Sequence, residues 1–246
     1  MTKRLLDRQV SLVEYMTSGA GIFGDNPDAP LAPALHGIDL SLLRLEAHFS
    51  YAKRMEKINA VFPKTFELLG SGQAAIVRAF VETCPPRTIS RLDNARQFYR
   101  FLSSRWMRAP LDPPYIGDVA ACELACAEFD ADDDERMAPF AKNEGNPSRS
   151  GIRCSPAIVL RRCAYDVRPI FETGTDQATP VERDTPLVFA QPPGADSPQV
   201  FEVIPAVFDL LAALDDWTDP AGLDAGPEFA KFLADLAAHG LIEVRP

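Results

Sequence analysis

Histidine, cysteine and clustered aspartate are the side chains of this 246-residue chain best suited to chemistry, and their spacing gives them little to work with. His36, His48 and His239 are scattered, and none sits four residues from a further possible ligand pair, whereas zinc or non-haem iron needs converging His and carboxylate side chains. Cys122 and Cys126 sit four apart, hence on one helix face, but no second pair accompanies them. Cys84, Cys154 and Cys163 add no disulfide-like framework. The acidic run at 132–135 lacks the glycine and terminal glutamate of a calcium loop. "GSGQAA" at 70–75 has no trailing Lys-Ser/Thr, and no Gly-x-Ser-x-Gly elbow occurs. These spacings assign no catalytic residue and no metal ligand, and they weigh against a stand-alone enzyme.

One cluster does ask for a function. In "FSYAKRMEKINAVFPKTFELLG" (49–70), Lys53, Arg54 and Lys57 share one amphipathic helix of a chain whose net charge is −10. The charge divides into +5 over residues 1–110 and −15 over 111–246, which predicts two domains with different neighbours. The acidic half would repel phosphates, and aromatics for base stacking are not interleaved with the basic residues. A solvated face or a docking face for an acidic surface or a buried anion are the two readings of the cluster. Arg87, Arg96, Arg100, Arg105 and Arg108 extend it.

The elements that position these residues follow from apolar spacing. A first helix carries Leu5, Leu6, Gln9, Val13 and Met16. A second, capped by Asp39 or Ser41, presents Leu42, Leu45, Phe49, Ala52, Met55 and Ile58 as its expected inner face. Pro63 and Gly70 interrupt the chain, and further helices follow in "SGQAAIVRAFVET", "NARQFYRFLSSRW" and "PPYIGDVAACELACAEFD". These make an expected helical domain over 1–130, and the turn-rich segment 131–151 is an expected linker. Beyond it the period changes. "SPAIVLRRCAYDVRPIFE" and "TPLVFAQ" are β-rich, "QVFEVI" alternates, and two helices and a short "LIEV" strand close the chain. The fold class is therefore α+β: a helical domain followed, over 152–246, by a small winged-helix-like domain with a short antiparallel sheet. No apolar run approaches the ~20 residues of a membrane span, and the amphipathic N-terminus does not read as a signal peptide. A cytoplasmic location is expected.

The ordered segments "LLDRQ", "FSYAKRMEKINAVFPKTFELLG", "VRAFVETCPPR", "FYRFL" and "PPYIGDVAACELACAEFD", with "YDVRPIF", "PLVFAQ" and "FLADLAAHGLIEV" later, carry a resemblance. The chain resembles the MbnC/TglI-like accessory subunits, a bacterial family with a DNA-binding-domain label, and the methanobactin branch is favoured. The resemblance spans roughly 5–135 and 155–246. It implies a non-catalytic subunit that forms a heterodimer with a TIM-barrel multinuclear iron oxidase in RiPP biosynthesis. Iron would reside in that partner, with no cofactor in this chain. It also implies a winged-helix peptide-recognition element that binds the leader of a cysteine-containing precursor by strand addition. The implied partner-facing residues are Lys53, Arg54, Lys57, Arg87, Tyr115 and Asp118. The implied peptide site joins Val200, Phe201, Glu202, Val203 and Ile204 to Phe229, Phe232, Leu233 and Leu236. The alternative is a DNA-binding transcriptional regulator, since winged helices commonly read DNA. The last helix has only Lys231 against Glu228 and Asp235, so nucleic acid is disfavoured, and no membrane partner is expected.

Overall fold

Helices dominate the first 111 residues, and those starting at Gly19, Leu40, Pro63 and Arg91 each have, at or just before that point, a residue that can satisfy or dispense with an orphan N–H. The computed structural model describes residues 2–24, 32–129, 151–175, 179–191, 199–219 and 226–245. It separates the chain into two units, 1–111 and 112–246. Unit 1 contains α1 (Thr2–Thr17), α2 (Gly19–Phe23), a 3-10 turn (Pro33–Leu35), α3 (Leu40–Asn59), α4 (Pro63–Leu69), α5 (Gln73–Thr83) and α6 (Arg91–Trp106). Asp39 caps α3, its Oδ1 accepting from the N–H groups of Ser41 (2.9 Å) and Leu42 (3.3 Å). Ser90 caps α6, and Pro63 opens α4 where its missing N–H costs nothing. Phe98 is the centre of the core, with the rings of Phe62, Phe66 and Phe80 at 5.7, 5.4 and 5.0 Å.

The inner face of α3 is the expected one only at its end, where Ile58 is buried and Met55 half-buried. Leu42, Leu45 and Phe49 are 56%, 48% and 52% exposed, whereas Leu43, Ala47, Arg54 and Ile58 are buried. Two apolar stripes run along this helix, and packing against α1, α2 and α6 selects the one that also contains the arginine. Leu5, Leu6 and Val13 of α1 are likewise exposed.

Unit 2 begins with α7 (Ile116–Phe129), followed by β1 (Gly151–Cys154), β2 (Val159–Asp166), α8 (Arg168–Thr173), β3 (Val181–Ala190), β4 (Gln199–Glu202), α9 (Pro205–Ala213), α10 (Pro227–Ala238) and β5 (Ile242–Arg245). The helix α7 was expected with the helical domain, but it packs on β2 and β3 of unit 2 instead. Its composition explains the placement. Small and apolar residues surround it, and ten of its positions are buried, so it needs cover on several sides. The expected linker lies outside the described residues except Gly151, which opens β1. "RPIFE" is helical rather than extended, with Pro169 in the first turn of α8.

The strands β2, β3 and β4 form an antiparallel meander in that order, and β1 pairs antiparallel with β5. In the meander, Leu160, Val188 and Phe201 share one face, and Cys163, Thr185, Leu187, Phe189, Val200 and Glu202 share the other. The first face joins a core built with Ile152, Leu211, Leu214, Leu233, Leu236 and Ile242. The second is covered by α7 over β2 and β3, where the buried thiols of Cys122 and Cys163 meet at 3.7 Å. Gly240, at φ 71°, ends α10: its N–H bonds the Ala237 carbonyl (3.0 Å) while that of Leu241 reaches back to Leu236 (3.0 Å). That reversal delivers β5 to β1. No helix among the described residues is long and apolar enough to cross a membrane.

A ring of four charges ties the meander together. Arg168 holds Asp166 through Nε–Oδ1 (2.8 Å) and Nη2–Oδ2 (2.7 Å) and Glu202 through Nη2–Oε2 (2.6 Å). Arg183 holds Asp166 through Nη2–Oδ2 (2.6 Å) and Glu202 as well. The hydrogen bonds from these arginines keep both carboxyls below their ordinary values of 3.8 and 4.5. A carboxyl depressed in the fold contributes stability that is complete above its unfolded value and lost as pH falls through its folded one. Amide protection along β4 should therefore be constant above about pH 5 and fall progressively below about pH 4. Glu202→Gln should lower β4 protection at neutral pH and flatten the acid dependence. Hydrogen exchange followed by mass spectrometry checks both.

Candidate functional site

The strand β4 is bonded to β3 along one side, and no described strand lies along its other side. The Val203 N–H donates to the Pro186 carbonyl at 3.0 Å, which fixes the phase of the hydrogen bonds. In an antiparallel ladder the bonding alternates, so Phe201 and Gln199 also turn their backbone groups toward β3. The N–H and C=O groups of Val200 and Glu202 then point to the open edge. Pro186 has no N–H to return, and Pro205 starts α9, so β4 stays short.

The side chains of the expected peptide site divide into three groups. Val200 (43% exposed), Glu202 and Ile204 (66% exposed) are at the surface, with Glu202 held in the arginine ring. Phe201, Val203, Phe229 and Phe232 are half-buried and pack against the unit 2 core, the two α10 rings 6.1 Å apart. Leu233 and Leu236 are corrections to the expected site: they are buried in that core and present nothing to a ligand. Helical spacing gave all four α10 residues the same face, and only depth separates rim from core.

The opposite edge of the meander is partly closed from within. At the bulge in β2, the Asp118 carboxylate of α7 accepts the Tyr165 N–H at 2.9 Å. Burial raises the Asp118 pKa, and its backbone hydrogen bonds oppose the rise. Tyr115 meets Tyr165 edge to face at 6.2 Å. Asp118 and Tyr115, expected to face a partner, thus act inside unit 2. The motif "PPYIGD" identified them, but spacing alone could not distinguish a contact within the chain from one beyond it.

In unit 1 the cationic cluster also divides. Arg54 is buried, which corrects its assignment as a surface cation. It donates through Nε to Asn94 Oδ1 (2.9 Å), through Nη1 to the Cys84 carbonyl (2.8 Å) and through Nη2 to Gln97 Oε1 (2.8 Å). Its guanidinium lies 4.4 Å from the Phe80 ring centroid. All three acceptors are neutral, and burial lowers the arginine pKa to about 10. Lys53, Lys57 and Arg87 are exposed, and Lys57 donates to the Ile89 carbonyl at 2.6 Å. The ring of Asp166, Arg168, Arg183 and Glu202 was missed by the sequence reading. The "YDVR" segment contains two of its members, but nothing local signals that β3 and β4 supply the others.

Among the described residues no group of three or more His, Cys, Asp or Glu could hold a metal ion. Compared with known proteins, the sequence matches no family model and no curated relative. The described surface presents an open strand edge at β4 and exposed apolar side chains on α1 and α3.

Arg54→Met keeps the bulk of the side chain but strands the acceptors on Asn94, Gln97 and Cys84. Leaving buried polar groups unsatisfied costs about 1–3 kcal/mol each at most, so a stability loss of roughly that size or somewhat more is expected from urea unfolding. Lys53→Gln should leave the unfolding midpoint unchanged, since its side chain is exposed.

Proposed function

We propose that the chain is a non-catalytic accessory subunit whose second unit, built on a winged-helix plan, captures an extended peptide as a further strand on β4. The observation that carries this reading is the open edge at Val200 and Glu202, beside a surface where Val200 and Ile204 remain exposed. Such an edge supplies affinity through main-chain hydrogen bonds and selects sequence through alternate side chains. Phe229 and Phe232, half-buried at the rim of the same core, are the aromatic contacts a bound peptide would add to. The peptide class follows the resemblance: the leader of a cysteine-containing precursor in methanobactin-like RiPP biosynthesis.

Unit 1 docks the partner enzyme, for which the resemblance points to a TIM-barrel multinuclear iron oxidase that holds the iron. The exposed Leu42, Leu45 and Phe49 of α3, with Leu5, Leu6 and Val13 of α1, support this assignment better than charge does. Apolar stripes of that kind on a folded domain mark interaction surfaces, and Lys53 and Lys57 lie on the same helix as a polar rim.

Two experiments separate the two roles. Val200→Pro removes an edge donor that pairing with β3 does not use, and should weaken binding of a fluorescent precursor leader at least about tenfold. If the variant keeps its circular dichroism and binds the leader as wild type, the β4 edge is not the site. The pair Leu45→Asp and Phe49→Asp should abolish co-elution with the oxidase while leaving leader anisotropy unchanged. Leader binding that fell with this pair would place the peptide on unit 1 instead.

A further inference from the structure

Unit 1 carries a partly open cavity of about 330 Å³ whose wall is apolar at Ile22, Tyr51 and Ile89 and cationic at Lys53, Arg54 and Lys57. No described aspartate or glutamate lines it. Among the described residues, Arg54 and Lys57 satisfy neutral acceptors only. Arg54 uses one hydrogen bond at each of its three nitrogens, which leaves two of a guanidinium's five donors over, and Lys57 keeps two of its three. A desolvated cation is ordinarily matched by an anion, because its own burial is otherwise uncompensated. Ile89 adds a second signal. Its side chain borders the cavity yet is 89% exposed, on a segment held in place by the Lys57 bond to its carbonyl. The cavity therefore combines positive charge that lacks an anion with apolar surface that lacks a cover.

We propose that this cavity is a binding site for a small monocarboxylate with an unbranched apolar tail of medium length. The carboxylate would take the free donors of Lys53 and Lys57 within the field of Arg54, and the tail would lie against Ile22, Tyr51 and Ile89. Size sets the length. At about 330 Å³ the cavity lies at the lower end of the roughly 300–1,000 Å³ usual for small-molecule sites, which suits octanoate better than palmitate. A compact inorganic anion would leave the apolar wall wet, and a neutral alcohol would leave the cations unmatched. The inference stands on unit 1 alone and is independent of peptide capture by β4.

The test is isothermal titration of the full chain with octanoate at low ionic strength, beside octan-1-ol and octylammonium. Saturable one-to-one binding of octanoate is expected, at least about tenfold tighter than octan-1-ol, with no octylammonium binding. The double variant K53E/K57E, altered only at exposed positions, should lower octanoate affinity at least about tenfold while keeping a native circular dichroism spectrum. If that variant unfolds, Lys53→Gln and Lys57→Gln are read singly by the direction of the same change. The proposal is overturned by absence of saturable octanoate binding below millimolar concentration, by equal affinity for the alcohol, or by binding indifferent to the lysine substitutions.

Discussion

An antiparallel sheet must end somewhere, and its last strand faces outward with half of its backbone groups unpaired. In unit 2 the two ends of the β2–β3–β4 meander are treated differently. At β2, α7 lies over the sheet and Asp118 accepts the Tyr165 N–H at the bulge. At β4 no described strand follows. The second face of the meander shows the same asymmetry: Leu187 and Phe189 on β3 are buried, while Val200 and Glu202, next to them on β4, are exposed. Cover thus stops one strand short. An edge left open would also fray, and the arginine ring answers that. By joining Glu202 to Arg168 and Arg183, it holds β4 to the meander through side chains, so its backbone edge can remain unpaired.

Unit 1 follows a related logic on its helices. A helix with two apolar stripes must choose which to bury, and α3 buries the one containing Arg54. The guanidinium connects α3 to α6 through Asn94 and Gln97 and to the end of α5 through the Cys84 carbonyl. It serves as a polar cross-link at the edge of the Phe98 cluster, stacked on Phe80. Fixing the rotation of α3 in this way also turns Leu42, Leu45 and Phe49 outward. The buried cation and the exposed leucines are two consequences of one rotation.

Much of this arrangement was legible in the sequence. The helix start at Asp39, the break at Pro63, the stop at Gly240, the change of period after residue 150 and the alternation of 200–204 all rest on local rules, and the structure keeps them. What was not legible depends on contacts distant in sequence. Nothing near Arg54 announces that Asn94 and Gln97, 40 and 43 residues on, will receive it. The sequence period of α3 fits either stripe, and only the neighbouring helices decide between them. For α7 a signal existed: among its 14 residues only Asp118, Glu123 and Glu128 are charged and the rest are small or apolar, the pattern of a helix covered on several sides. Leu233 and Leu236 were misplaced for the opposite reason, since rim and core residues of α10 share one stripe.

The cationic cluster on α3 is smaller at the surface than in the sequence, because Arg54 is buried. Of the three clustered cations, one is buried within unit 1, and the two exposed lysines line a cavity with apolar residues and no described carboxylate. Exposed charges act over about 8–10 Å at physiological salt and contribute ~0.2–1 kcal/mol per surface pair. Burial of exposed leucine and phenylalanine side chains is worth ~1.5–3 kcal/mol each when complete. Three such residues on α3 alone therefore outweigh two lysines in setting the strength of any association through this unit.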